Sequence, residues 1–227
     1  MDYAAAYLER CSYRQIKDVQ TADFVLLPVP VKAHMLAGLE NKIVFLGGGD
    51  YPGTLDYCKN ENFAEKNGIL TAEGALWLAQ NQRNCALYRS RVLVCGYGRI
   101  GRALTGLLLA HGAEVTVCSR SEISKTRAQF AGARHIDFAQ LTHPSDFQLV
   151  YNTVPHMIFT KQELQALPQY AVLVDLASFP GGVDTLMAHT LGIQVVDGRN
   201  LPGRMAPESA GVLIGETVAE MIEEGLV

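Results

Sequence analysis

Hydrophobic positions between residues 88 and 208 fall into short apolar runs separated by longer amphipathic stretches. The apolar runs predict buried strands at residues 91–95, 114–118, 134–136, 148–153, 171–176 and 194–197. The stretches between them predict helices at residues 99–111, 122–131 and 161–166. Because strands that alternate with helices are joined by crossover connections, this pattern predicts an α/β fold with a doubly wound parallel sheet.

The N-terminal residues show a sparser version of the same pattern. Apolar runs at residues 24–29 and 42–46 predict two strands, and residues 2–15 predict a helix before them. The first run ends in a proline-containing loop and the second in the glycines of residues 47–49, as strands of α/β sheets end. Because two or three strands rarely make an independent sheet, we expect this part to pack on the rest of the chain or on another subunit.

These patterns divide the chain into four predicted segments. Residues 1–72 form a smaller, shortened N-terminal α/β domain on the substrate side. Residues 73–87 form a connecting helix introduced by a capping signature at Thr71. Residues 88–208 form the larger sheet domain, and residues 209–227 form a C-terminal helix.

Composition and charge narrow the class of protein. Apolar residues make up 48% of the chain and charged residues 19%, which is ordinary for a globular protein and too apolar for a disordered one. Nineteen basic and twenty-three acidic side chains give a net charge of −4. Since no basic run is present to neutralise a row of phosphates, we expect no nucleic-acid partner.

Signals of export and membrane insertion are also missing from the sequence. Residues 1–10 contain no apolar core like that of a secretory signal, and no apolar stretch approaches the roughly 20 residues that span a bilayer. The five cysteines form an odd set without a CxxC motif. We therefore expect a protein of the reducing cytoplasm with no membrane partner.

A glycine-rich turn joins the first strand of the larger sheet to its first helix. Gly96 permits a sharp turn, Gly98 lets the backbone approach a pyrophosphate, and Gly101 lets the helix pack on the strand. The helix then begins at Arg99 and Ile100, where backbone N–H groups and the helix dipole favour phosphate. The spacing predicts a Rossmann nucleotide-binding unit; the alternative is a turn that only joins strand to helix.

Residues after the second strand of this unit indicate which dinucleotide binds. Chains that bind NAD place Asp or Glu about 20 residues after the first glycine, but this chain has Ser119, Arg120 and Ser121 there. Serine hydroxyls can donate to a 2′-phosphate and Arg120 can pair with it, while Lys125 adds charge one turn along. The sequence therefore predicts NADP(H), with a solvated Arg-Ser loop as the alternative.

Two further strand ends are predicted to line the same crevice, near the ribose and nicotinamide half of the cofactor. The residues at these ends are Asn152, Thr153, Val154 and Pro155 after one strand, and Leu176 and Ala177 after the next. Both segments also fit ordinary strand exits, which is the alternative interpretation.

Few side chains near this crevice can move a proton or hold a substrate. His156 is a candidate acid or base, because imidazole titrates near neutrality, although an exposed loop histidine is the alternative. Ser178 can hydrogen-bond to the substrate or to the nicotinamide amide, and Arg204 can hold a substrate carboxylate. The remaining histidines show no metal-ligand spacing, so we expect no metal site.

Several motifs in combination resemble one enzyme family. They are Leu27-Pro28-Val29, Thr71-Ala72-Glu73-Gly74, the glycine turn, Ser119-Arg120-Ser121, Asn152-Thr153-Val154-Pro155, the Asp175-Leu-Ala-Ser-Phe-Pro-Gly-Gly segment and the stretch that starts Leu201-Pro202-Gly203. In these motifs the chain resembles bacterial dipicolinate synthase A, one of the two proteins of an enzyme of spore formation. The resemblance implies NADP-dependent oxidation of a dihydrodipicolinate-type intermediate of the lysine pathway, a small carboxylated substrate, with the flavoprotein-like dipicolinate synthase B as partner.

The chain departs from that family at its start. Family members usually begin with a strand and glycine turn of their own, whereas Met1 here leads into a helix and then to Phe24. Two alternatives therefore stay open: a dehydrogenase of another small 2-hydroxy or amino acid, and a non-catalytic NADP(H)-binding protein or sensor. We also expect a homo-oligomer.

Overall fold

A computed structural model describes residues 1–83, 86–143 and 145–225. The strands are β1 Phe24–Leu26, β2 Ile43–Leu46, β3 Thr54–Asp56, β4 Arg91–Cys95, β5 Glu114–Cys118, β6 Arg134–Ile136, β7 Leu149–Asn152, β8 Val172–Asp175 and β9 Gln194–Asp197. The α-helices are α1 Asp2–Arg10, α2 Glu61–Gln82, α3 Arg99–Ala110, α4 Glu122–Phe130, α5 Lys161–Gln165, α6 Thr185–Thr190, α7 Leu201–Met205 and α8 Pro207–Glu223.

Contacts within the chain group its residues into two compact units. One unit holds Met1–Asn67 with Pro202–Val227, and the other holds Gly68–Leu201. In this grouping α8 belongs with the N-terminal residues, because it packs along α1. The sequence pattern predicted the C-terminal helix as a separate segment, because a contact between the two ends of a chain leaves no signal in the pattern of neighbouring residues.

Small residues on α8 allow the close approach of α1. A side chain at Gly211 would collide with the Cβ of Tyr3 at 2.5 Å, and one at Gly215 would meet Tyr7 at 2.9 Å. The ion pair between Lys66 and Glu216, at 3.3 Å, lies in the same unit. Residues 84 and 85 of the predicted connecting helix, and residues 226 and 227 of the predicted C-terminal segment, lie outside the described residues.

The N-terminal unit contains a small parallel sheet of order β1-β2-β3. Its first two strands were predicted, although β1 ends at Leu26, before the proline-containing loop. The third strand, β3, was not predicted, because it is three residues long and half-buried throughout, so it shows no apolar run. The first helix is also shorter than predicted: α1 ends at Arg10, and Ser12 adopts a positive φ of 72°.

The long helix α2 begins at Glu61, ten residues before Thr71, which was predicted to cap a helix over residues 73–87. Its cap is Asn60, whose Oδ1 accepts a hydrogen bond from the N–H of Phe63 at 3.0 Å. Thr71 is buried inside the helix, so the prediction that it caps the helix was wrong. The reason is that Asn67 and Gly68 are poor helix formers, which made the pattern before Thr71 look non-helical.

The larger sheet has six parallel strands in the order β6-β5-β4-β7-β8-β9. Strands β4, β5, β6 and β9 have the predicted bounds. With helices between its strands, the sheet confirms the predicted doubly wound α/β fold. Adjacent strands end together, because Cys95 is in register with both Cys118 on β5 and Asn152 on β7.

The core of this unit is built from the interior positions of the strands. Leu93, Val150 and Leu173 are almost completely buried and belong to one hydrophobic cluster. Cys95 and Cys118 are buried in the same cluster, where a thiol acts as a small apolar group. Burial raises the pKa of the Cys95 thiol. Among the described helices, none combines the length and the apolar character that a membrane crossing needs.

Candidate functional site

The glycine turn lies where the strand order of the larger sheet reverses. β5 and β6 extend the sheet on one side of β4, whereas β7, β8 and β9 extend it on the other side. In doubly wound sheets the loops on the two sides of such a point diverge and leave a crevice at the carboxyl ends of the strands. The fold therefore places the turn of residues 96–101 at the position where this kind of sheet binds ligands.

Gly96 makes the turn possible. Its φ of 92° is disfavoured for residues with a side chain, and an added Cβ would overlap the Oγ1 of Thr153 and approach Val154 at 3.2 Å. Thr153 is itself fixed, since both its backbone N–H and its hydroxyl donate to the carbonyl of Cys95 at 2.9 Å. The ends of β4 and β7 are thus locked together around a position that only glycine fits.

Gly101 and Gly98 differ in what surrounds them. An added Cβ at Gly101 would overlap the carbonyl oxygen of Gly96, so the absence of a side chain lets α3 start directly against the turn. An added Cβ at Gly98 would have no atom within 4 Å among the described residues, so this face of the backbone is open. The crowded surroundings of Gly101 fit its predicted role in helix packing. The open surroundings of Gly98 fit its predicted role in the approach of a pyrophosphate.

The N-terminus of α3 is suited to an anion. Within the described residues no side chain caps this end, and its first turn contains no acidic residue. Backbone N–H groups at such an end, with the positive end of the helix dipole, attract phosphate. Helix α2 passes close by, since an added Cβ at Gly68 would lie 3.3 Å from the Cβ of Arg99.

At the end of β5 the three predicted recognition residues have different environments. Arg120 is exposed, and Ser121 caps α4 by accepting a hydrogen bond from the N–H of Ser124 at 3.4 Å. Lys125 is half-buried and lies 3.5 Å from the carboxylate of Glu122. Guanidinium and ammonium groups therefore stand at the position where an NAD-binding chain carries an acid.

Ser119 differs from its neighbours because it is buried. Its hydroxyl oxygen lies 3.0 Å from Nε2 of His135 on the adjacent strand β6. The sequence predicted Ser119 only as a hydrogen-bond donor to a phosphate; the structure adds an internal partner for the same hydroxyl.

Further positive charge lies beside the glycine turn. Burial raises the pKa of the Tyr97 phenol, and the nearby guanidinium groups of Arg102 on α3 and Arg127 on α4 oppose that increase. These two arginines therefore act on the same small region between α3 and α4. With Arg120 and Lys125 they make the β5 side of the site cationic.

The ends of β7 and β8 are joined by a buried polar network. The amide of Asn152 donates to the Asp175 carboxylate at 2.8 Å and to the Val154 carbonyl at 3.1 Å. The same carboxylate accepts hydrogen bonds from the backbone N–H groups of Ala177, at 3.3 Å, and Gly182, at 3.2 Å. Asn152 is completely buried, so this network fixes the shape of both loops.

Gly182 brings the two loops into direct contact. An added Cβ there would overlap the amide of Asn152 and lie 2.8 Å from the carbonyl oxygen of His156. The segments that carry His156 and Ser178 therefore lie side by side, and both side chains are exposed. Pro155 is exposed as well, whereas Leu176 and Ala177 are buried, so these last two can offer only backbone groups to a ligand.

Arg204, the third predicted catalytic residue, is found in the other unit. It is exposed on α7, which belongs with the N-terminal residues for all but its first residue. The loops of His156 and Ser178 therefore lie together in the unit Gly68–Leu201, whereas Arg204 belongs to the unit that contains the N-terminal residues.

A cavity of about 620 Å³ lies along the edge strand β9. Its polar groups include Asp175 and the pair Asp197–Arg199, in which Nε and Nη2 of the arginine each lie 2.8 Å from the carboxylate. That carboxylate raises the pKa of Arg199 further. Its lining among the described residues includes Asp175, Pro180 and Gly181 but no residue of the glycine turn or of the β5 end, so the cavity adjoins the site at the loop after β8.

Two residues of the site, His135 and Asp175, had no predicted role for their side chains. The local signal at Asp175 was its place at the end of a predicted strand, where polar residues often organise loops. His135 gave no such signal, because its contact with Ser119 depends on the register between β5 and β6.

The sequence family described as D-isomer specific 2-hydroxyacid dehydrogenase, NAD binding domain, matches residues 59–178 of the chain. Dipicolinate synthase A of Bacillus subtilis (strain 168) is 31% identical over 167 residues, which make up 73% of this chain and 56% of that relative. The chain therefore spans little more than half the length of this relative.

Solved structures give the same picture. Dipicolinate synthase A from Bacillus halodurans has a TM-score of 0.76 at 26% identity, covering 80% of this chain and 66% of that chain. The Bacillus subtilis protein has a TM-score of 0.76 at 27% identity, covering 81% and 65%. Transhydrogenase from Sinorhizobium meliloti, with a TM-score of 0.75 at 18% identity and coverage of 92% and 76%, shares the fold. The resemblance predicted from the motifs is confirmed.

Proposed function

The chain belongs to the D-isomer specific 2-hydroxyacid dehydrogenase, NAD-binding domain family, and from that premise we propose that it is an NADP-dependent oxidoreductase of the dipicolinate synthase A kind. A domain that binds a nicotinamide dinucleotide is common to this family. The preference for NADP(H), the substrate and the partner are parts of the proposal.

The observation that carries the NADP(H) preference is the exposed Arg120 directly after β5. A carboxylate at this position would bind the ribose hydroxyl of NAD and repel a 2′-phosphate, whereas a guanidinium group pairs with the phosphate in a bidentate fork. The neighbouring cations Lys125 and Arg127 on α4 add to the positive potential of this side. Ser119 and Ser121 supply hydroxyl groups to the same phosphate.

The glycine turn supports the pyrophosphate part of the proposal. The open face of Gly98 leaves space for the phosphates, and α3 begins there with Arg99, Ile100 and Gly101. The residues present therefore fit a dinucleotide in the orientation usual for this fold, with the adenosine half toward β5 and the nicotinamide half toward β7 and β8.

When bound, the nicotinamide ring exchanges hydride with the substrate. The protein's part is to hold both molecules and move protons. We assign the loop of Asn152, Thr153, Val154 and Pro155, and the backbone at Leu176 and Ala177, to the nicotinamide half. His156 is the proposed acid or base, Ser178 the hydrogen-bond donor and Arg204 the group that holds a substrate carboxylate.

The substrate proposal rests on the named relatives. The curated relative and two of the solved structures named above are dipicolinate synthase A proteins. We assign to this chain oxidation of a dihydrodipicolinate-type intermediate of the lysine pathway in spore formation, with dipicolinate synthase B as its partner.

Turnover is the direct test of this assignment. We expect the purified chain, with NADP⁺ and the dihydrodipicolinate-type precursor, to reduce the cofactor, and to do so faster when dipicolinate synthase B is present. NADPH formation is followed by its absorbance, and the same assay with NAD⁺ serves as the comparison. If NADPH binds but no hydride is transferred with or without that partner, the chain is a cofactor-binding protein or sensor.

Replacing Arg120 with alanine tests the cofactor preference. Because a charge-assisted pair is worth about 1.5–3 kcal/mol, we expect the Kd for NADPH to rise about 10- to 100-fold, with less than about 3-fold change for NADH. Fluorescence titration of both nucleotides measures this difference. Lys161→Ala, which removes one exposed cation at the start of α5, controls for net charge. Equal losses for both nucleotides would contradict the assignment.

A further inference from the structure

We propose that His135 is a positioning residue for cofactor selection: it sets the direction of the hydrogen bond at Ser119, and so decides whether that hydroxyl suits a 2′-phosphate or a 2′-hydroxyl. This inference rests on the proposed function, because it concerns the same end of the dinucleotide. It assigns a specificity role to a residue that neither the motifs nor the family resemblance singled out.

The geometry follows from the register of two parallel strands. Val117 on β5 pairs with His135 on β6. Side chains two residues apart on a strand point to the same face, so Ser119 lies on the face that Val117 and His135 share. The hydroxyl of Ser119 is 3.0 Å from Nε2 of His135, and its residue is only 6% exposed. The buried serine is thus held by one side-chain partner.

A serine hydroxyl has one proton to donate and two lone pairs. If Nε2 of His135 carries a lone pair, Ser119 donates to it and presents only lone pairs outward, which suit a ribose hydroxyl and repel a phosphate oxygen. If Nε2 carries a proton, His135 donates to Ser119 and the serine proton becomes available to a phosphate. Whether Nε2 of His135 carries a proton therefore decides whether Ser119 offers a bound ligand a hydrogen-bond donor or only an acceptor.

The surroundings of β6 are rich in charged groups. β6 pairs with β5 and packs against α4. The charged or titratable side chains carried by these segments and their ends are Glu114, Cys118, Arg120, Glu122, Lys125, Arg127, Arg134 and Asp137. A 2′-phosphate that accepts the proton of Ser119 leaves Nε2 of His135 to donate to the serine oxygen, whether the ring is neutral or protonated. A bound 2′-phosphate therefore favours the donor state of His135.

The experiment measures the Kd for NADPH and for NADH in the full chain. In His135→Gln the amide nitrogen can donate to Ser119, so we expect the preference for NADPH to stay within about 3-fold of wild type. In His135→Leu the donor is lost, and we expect the preference to fall about 5- to 10-fold.

A double-mutant cycle shows whether His135 acts through Ser119. Ser119→Ala removes the hydroxyl, so adding His135→Leu to it is expected to change the preference by less than about 2-fold. Thermal unfolding of each variant shows which ones fold. Where the leucine variant does not, His135→Phe, which keeps a ring but has no hydrogen-bonding nitrogen, takes its place with the same expected fall in preference.

The possible results separate this proposal from the one on which it rests. If wild type prefers NADPH and His135→Leu keeps that preference, or His135→Gln loses it as His135→Leu does, the role of His135 is wrong and the cofactor assignment stands. If wild type binds NADH as tightly as NADPH, the cofactor assignment fails and the role of His135 fails with it.

Discussion

Replacing Gly101 with alanine is expected to destabilise the larger unit and to abolish tight dinucleotide binding at the same time. The added methyl group would overlap the carbonyl oxygen of Gly96, and backbone atoms cannot move aside as a flexible side chain can. Overpacking of this kind typically lowers the unfolding free energy by about 1–3 kcal/mol. Relief of the overlap would shift α3 away from the turn, so we expect the Kd for NADPH to rise at least about 10-fold.

Gly106 provides a matched control on the same helix. It is exposed, and an added Cβ would have nothing within 4 Å among the described residues. Alanine there should stabilise α3 by about 0.5–1 kcal/mol through helix propensity and leave NADPH binding unchanged. Thermal unfolding and fluorescence titration of both variants test the contrast. A Gly101→Ala variant as stable as Gly106→Ala would show that the close packing of α3 on the turn is wrong.

Replacing Gly98 with alanine is expected to leave the protein folded but to weaken cofactor binding, whereas Gly101→Ala is expected to impair both. The backbone of Gly98, with a φ of −79°, suits any residue, and its surroundings leave a Cβ in open space. Loss of glycine at a helix N-cap lowers the unfolding free energy by about 1 kcal/mol at most. The same Cβ would stand where the pyrophosphate must approach the backbone, so we expect at least about a 10-fold rise in Kd for NADPH and NADH alike.

The equal effect on both nucleotides distinguishes Gly98 from Arg120. The pyrophosphate is common to the two cofactors, whereas Arg120 is assigned to a group that only NADPH carries. Unchanged affinity in Gly98→Ala would show that the phosphates do not pass over this face of the turn. A fall in stability of several kcal/mol would instead show that the space around Gly98 is filled in the folded protein.

Most of the larger sheet could be predicted because its signals are local. The strands Arg91–Cys95 and Glu114–Cys118 are each buried at their last four residues, because side chains on both faces of a parallel sheet are covered, so their bounds follow from the sequence alone. The elements that were not predicted are short or interrupted. β3 has no apolar run, α6 is six residues long behind its Asp184 cap, and α7 begins within the Leu201 motif.

The candidate site divides in the same way. The sequence places Gly96, Arg120 and Asn152 at the ends of predicted strands, and parallel strands bring such ends to one edge. What their side chains contact there depends on register and on loop packing. Asn152 could not be assigned to the Asp175 carboxylate, nor Gly182 to the space beside it, because those partners are 23 residues or more away along the chain.

The sequence by itself determined the fold class, the glycine turn and the kinds of side chain that end each strand, since hydrophobic periodicity and turn chemistry are properties of neighbouring residues. Only the tertiary structure decided which of these side chains meet. It joined α8 to α1 across the length of the chain, set Asn152 on Asp175, and placed His135 against Ser119. Those contacts depend on strand order and on register, and a shift of one residue between β5 and β6 would turn His135 to the other face of the sheet.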